Sequence, residues 1–154
     1  MADSIREQIV KNVVTTLEGI TEALGFDITV ASVQRSRRAG PTIHEFPTIL
    51  VIEESEAILP QTEGRGPLGK WTKLMSLGLV CWIENEEAGE AVNQILANVE
   101  KALMADISRG NLAVLTNLVS NQSFITEDID NPESGVTMVI EIRYRVQERD
   151  PFSL

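Results

Sequence analysis

Residues 135–147 read GVTMVIEIRYRVQ, and their alternation decides the fold class. Val136, Met138, Ile140, Ile142, Tyr144 and Val146 fall on one side, while Thr137, Glu141, Arg143, Arg145 and Gln147 fall on the other. A period of two with one apolar side describes a strand whose inner face lies on a core. That core needs a cover, and two stretches with helical spacing supply it. Ile5, Ile9, Val13, Leu17, Ile20 and Leu24 recur at steps of three and four, predicting a helix over Asp3 to Leu24. Ser4 with Glu7 three residues on has the form of a capping box, and Gly25 stands where a left-handed terminator belongs. Ala88, Ala91, Val92, Ile95, Val99, Ala102 and Leu103 make the stripe of a second helix, from Glu86 to Ala105.

Working outward, four further strands are expected. Residues 28–35 alternate around Ile28, Val30 and Val33, with a slip after Val30. Thr48 to Ile52 follows Pro47 and is β-branched and apolar enough for a central strand. Lys70 to Ile83 is long, with Trp71, Met75, Leu77, Leu79, Cys81 and Ile83 on one face. Leu112 to Ser120 reads as a strand beyond the turn residue Gly110. The connections 35–45, 53–69 and 124–134 carry polar, acidic or Gly/Pro-rich sequence and read as loops. The order helix, three strands, helix, two strands specifies an α+β fold: a mixed sheet of about five strands flanked by two amphipathic helices, with long projecting loops. No repeat or linker divides residues 1–154, so a single domain is expected.

Composition narrows the function. The 154 residues contain 13 basic and 23 acidic side chains, a net charge of −10, with 43% apolar and 5% aromatic residues. That balance argues against gripping nucleic acid through a broad basic surface, and against adsorption to anionic membranes. The lone cysteine, Cys81, leaves no internal disulfide or multi-cysteine metal knot. No apolar run approaches the ~18 residues of a membrane span.

Little in the sequence points to chemistry. His44 is the sole histidine and sits in a polar loop; Cys81 lies among apolar neighbours in a strand and reads as a small hydrophobe. GRGPLG at 64–69 lacks the lysine and hydroxyl of a phosphate loop and precedes a strand rather than a helix. The carboxylates at 53–56 and 127–133 lack the alternating ligands and central glycine of a calcium loop. No catalytic, cofactor-binding or metal site is expected. Arg35, Arg37 and Arg38 fit either a solvated loop or an arm reaching an acidic neighbour, since arginine is favoured at interfaces.

Five segments in fixed order carry a resemblance: SIREQIVKNVVTTLEGI from Ser4, VQRSRR from Val33, FPTILV from Phe46, VEKALMAD from Val99 and EIRYRVQERDPFS from Glu141. Together they resemble the tail terminator proteins (tail completion, minor tail protein U-like) of long non-contractile-tailed bacteriophages, over nearly the whole chain. The resemblance implies a homohexameric ring in the virion that caps the tail tube at its head-proximal end. Its partners would be the tail tube protein and a head-completion or neck protein, with no cofactor, no membrane and no catalysis. Segments 36–46 and 53–69 would be arms and loops that order on assembly. Arg143, Tyr144, Arg145, Asp150, Pro151 and Phe152 match the family's closing pattern and join Arg35, Arg37 and Arg38 as candidate assembly contacts. Six copies would carry on the order of −60 charges, so DNA would pass the channel without specific binding. A head–tail joining protein is the near alternative, and a small metal-dependent hydrolase the distant one.

Overall fold

The structure is a computed structural model that describes residues 1–35, 45–60, 69–84, 88–125 and 133–154. The elements run α1 (Ile5–Glu18), β1 (Ser32–Arg35), β2 (Thr48–Ile58), β3 (Lys70–Glu84), α2 (Ala88–Met104), β4 (Leu115–Ile125) and β5 (Glu133–Gln147), with a short 3-10 turn at Glu22–Leu24. The strands form one mixed sheet in the order β1-β2-β3-β5-β4, parallel only between β1 and β2. This is the α+β architecture expected from the sequence pattern.

The long antiparallel pair β3–β5 is the middle of the sheet. Met75, Leu77, Leu79 and Cys81 face Ile142, Ile140, Met138 and Val136 in register, and all eight are buried. Ile49 and Val51 extend this apolar face onto β2, and both helices pack over it. From α1 come Ile5, Ile9, Val10, Val13 and Leu17; from α2 come Val92, Ile95, Val99, Ala102 and Leu103. The opposite sheet face, with Leu50, Val80, Trp82 and Val139, has no helix upon it among the described residues.

Several boundaries differ from expectation for identifiable reasons. α1 starts as read: Ser4 caps it, its hydroxyl accepting from the Glu7 amide at 3.2 Å. It ends at Gly19 instead of Leu24, because the Ile20 carbonyl accepts from Val30 at 2.9 Å and leaves the helical ladder. Ile20 stays buried, whereas Leu24 is 70% exposed. Gly25 does adopt a left-handed φ of 85°, but it closes the 3-10 turn. β1 is shorter than read, starting at Ser32, because Ala31 and Ser32 bond the Pro47 carbonyl first.

Residues 53–58 are a correction: they continue β2 rather than beginning a loop. Glu54 is an extra residue there, a bulge against the continuous β3. β4 likewise starts at Leu115 and runs to Ile125, with Val119 as its extra residue, so the acidic connection is shorter than 124–134. Residues 112–114 do not join β4 as strand because Arg109, Gly110 and Asn111 turn the chain through positive φ. Arg109, which no periodicity singles out, is fully buried there. Its guanidinium donates to the Leu103 and Asp106 carbonyls, capping the C-terminus of α2 where the helix dipole favours a cation.

Gly135 is the position where a side chain has no room. Across the sheet it stands between Trp82 of β3 and Phe124 of β4, whose rings meet edge to face at 4.9 Å. A Cβ on Gly135 would run into the Cys81 carbonyl oxygen and lie 2.6 Å from the Phe124 ring. The exposed Gly89 in the first turn of α2 has nothing within 4 Å of its would-be Cβ. Gly135→Ala should therefore destabilise the fold by about 2 kcal/mol, the scale of an overpacked core. Gly89→Ala should be neutral or add up to about 1 kcal/mol. Denaturant melts of both variants check this; equal effects of the two substitutions would contradict the packing described.

Candidate functional site

The polar cluster of the described chain lies where the N-terminus of α1 crosses the sheet. The β2 bulge creates it. Without an extra residue, Glu53 and Glu56 would point to opposite faces; with Glu54 inserted, Glu53 pairs opposite Leu77 and Glu56 opposite Met75, both on the helix side. Arg6 of α1 then bridges the two carboxylates, binding Glu53 and approaching Glu56 at 3.3 Å through Nε. Arg35, the last residue of β1, donates to Glu7 at 2.7 and 3.2 Å and also to Glu53. Lys73 of β3 reaches Glu56 at 3.2 Å, and the buried Tyr144 donates its hydroxyl to the same carboxylate.

Three cations, three carboxylates and one phenol thus tie together α1, β1, β2, β3 and β5. Formal charge balances within the cluster, and the ionic side chains are between 17% and 37% exposed. Burial alone would push the Glu53 carboxyl up, but the hydrogen bond from Arg35 and the charge of Arg6 outweigh it and hold Glu53 below its ordinary value. The Arg35 guanidinium is pushed up by its hydrogen bonds to Glu7 and Glu53. Burial and the neighbouring Glu56 carboxylate push the Tyr144 phenol up as well, so it stays a neutral donor. With every charge answered by an internal partner, the cluster fastens elements to one another.

The expected contact residues divide accordingly. Arg35 is engaged inside the chain instead of leading an arm, and Arg37 and Arg38 lie outside the described residues, as does His44. Tyr144, a contact candidate through the resemblance alone, is buried on the inner side of β5 where the alternation places it, so its side chain serves the core. Arg143 is exposed on the helix-free face, and Arg145 is half-buried there, its Nε without a hydrogen-bond partner among the described residues. Asp150 accepts from the Ser153 hydroxyl and the Phe152 amide, which hold its carboxyl below the ordinary range. That turn presents the Pro151 carbonyl to the Ile5 amide at 3.0 Å, answering one of the unpaired N–H groups at the start of α1. Phe152 remains half exposed.

Cys81 lies in the core, its thiol pushed up to about 12 by burial, which suits packing and not nucleophilic attack. Among the described residues no group of three or more His, Cys, Asp or Glu side chains is arranged to hold a metal ion. The 64–68 part of GRGPLG and the carboxylates at 127–130 lie outside them.

No family model matches the chain, and no curated protein matches it. Among solved structures, a chain described as "Virion of native gene transfer agent (GTA) particle" aligns over 93% of this chain and 92% of its own, at 10% identity and a TM-score of 0.39. A likeness of that degree carries no conclusion.

The cluster makes a definite pH prediction. Since the folded pKa of Glu53 is depressed, its pairing stabilises the fold above the ordinary glutamate value and loses that contribution as pH falls through the depressed one. Glu53→Gln should cost about 1–2 kcal/mol at pH 7, the scale of a charge-assisted hydrogen bond. It should also flatten the acid limb of the stability profile below about pH 5. Melting curves from pH 7 to 3 on both proteins are the check; superimposable profiles would show that the cluster does not hold the elements together.

Proposed function

We propose that the chain is a non-catalytic structural subunit of a phage virion, a tail terminator. Six copies would form a ring at the head-proximal end of the tail tube. The ring stops tube polymerisation and offers the surface to which the head attaches. One observation supports the reading: four of the five segments that resemble the terminator family fall on the parts that build the fold, and the described part of the fifth, Val33 to Arg35, lies in β1. SIREQIVKNVVTTLEGI contains α1 and its cap, and FPTILV starts β2. VEKALMAD ends α2, and EIRYRVQERDPFS spans the end of β5 and the turn that meets α1. The shared pattern is therefore that of a shape, which suits a protein whose task is to be a building block.

The physical properties support the same reading. The cluster around Glu53 and Glu56 fixes α1 and four strands against each other, giving the stiff body a ring subunit requires. The net charge of −10 per copy suits a channel that duplex DNA crosses without adhering, since phosphates are repelled.

Mass in solution and negative-stain images of the purified chain test the proposal. Six-fold rings, formed alone or on the end of tail tubes, are the expected result. A monomer that never joins rings or tubes, and that retains stoichiometric metal after dialysis, would overturn it in favour of a small metal-dependent hydrolase.

A further inference from the structure

We propose that the open edge of β4 is a strand-pairing interface, occupied in the assembly by an extended segment of a neighbouring copy of this chain. The inference rests on the ring reading above and names the surface through which one copy meets the next.

β4 is the sheet's outermost strand on its side, eleven residues long and paired only to β5. Among the described residues no strand pairs with its outer side, and Asn117 and Val119 to Ser123 are all exposed, Val119, pushed out by the bulge, to 51%. Roughly half the N–H and C=O groups of such an edge point away from the sheet and are available to another strand. Edges of this length are ordinarily blunted with charge, proline or a bulge.

β4 has the bulge, at Val119, but neither of the other two devices. LTNLVSNQSFI, residues 115–125, holds no charged residue and no proline. The other four described strands all carry charge: one arginine in β1, three glutamates in β2, two lysines and a glutamate in β3, and two glutamates with two arginines in β5. In a chain of net charge −10, two copies repel at most points of approach, and the neutral strip along β4 is where that repulsion is least. Serine, asparagine and glutamine side chains there add hydrogen-bonding capacity without charge, while Val119 and the adjacent Val114, 45% exposed, supply apolar surface.

Cyclic rings are built from head-to-tail contacts, so the neighbour offers β4 a segment other than its own β4. Backbone pairing supplies the affinity and needs no particular sequence on the incoming segment.

Hydrogen exchange on monomer and ring, resolved to the peptides covering 115–125, is the direct test. The amides facing outward from β4 should slow by about tenfold or more on ring formation, as they gain partners. In parallel, Gln122→Glu with Ser123→Glu should leave the monomer's melting temperature unchanged while raising the concentration needed for rings about tenfold or more. The same charges placed on the exposed face of α2, Asn93→Glu with Gln94→Glu, should leave assembly as it was. Rings whose β4 amides exchange as fast as in the monomer would overturn the inference and leave the ring reading standing. A chain that forms no rings at all overturns both. A single Asn121→Cys that cross-links to itself across the contact would show two β4 strands side by side, and so contradict the head-to-tail arrangement.

Discussion

The register of the β3–β5 ladder is the constraint on which the rest depends. Fifteen residues of β3, Lys70 to Glu84, pair without interruption with Gln147 to Glu133. A slip by one residue would carry Met75, Leu77, Leu79 and Cys81 to the helix-free face, away from both helices. Each end of the ladder has a device that resists such a slip. At one end Gly135 admits the Cys81 carbonyl and the Trp82–Phe124 pair, a close approach that no neighbouring residue of β5 could replace. At the other, Tyr144 delivers its hydroxyl to Glu56 and brings β2 into the same arrangement.

From that ladder the remaining structure follows outward. The bulge at Glu54 is out of step with β3 and so aims two carboxylates at α1, where Arg6 and Arg35 meet them. The Asp150–Ser153 turn returns the chain to the start of the same helix. At the far side of the molecule Arg109 closes α2 from inside the protein. Both helices are thereby held on one face of the sheet. What is left for partners is the exterior of the sheet, and above all the neutral edge of β4.

How much of this the sequence disclosed depends on whether a feature is local. Alternation in 136–146 and helical spacing in 5–20 and 91–103 report one-sided burial directly, and both the helices and the inward side of β5 followed from them. Glu53 to Ile58 resisted such reading because a bulge breaks the period of two and because three glutamates in six residues resemble a solvated loop. The carboxylates of Glu53 and Glu56 are answered by Arg6, Arg35 and Lys73, which come from three other elements and are invisible to any local pattern. Arg35 suggests a contact residue by its chemistry and Tyr144 only by the resemblance, although alternation already turns Tyr144 inward; both find internal partners, and for Arg35 that was visible only in the tertiary structure. Arg109 passed unnoticed since a lone arginine in a turn carries no signal of burial; only its neighbour Gly110 hinted at a left-handed backbone there. The charge-free run in β4 was open to view from the start, and acquired meaning only once the strand was known to be an edge.

If the chain ends a tail tube, as proposed, tube length in its absence reports it. Particles produced from a genome lacking the gene should contain tail tubes that grow well past their normal length, since nothing halts addition of tube protein. Tubes of normal length that accumulate unattached to heads would contradict the account, and assign the chain to the neck instead.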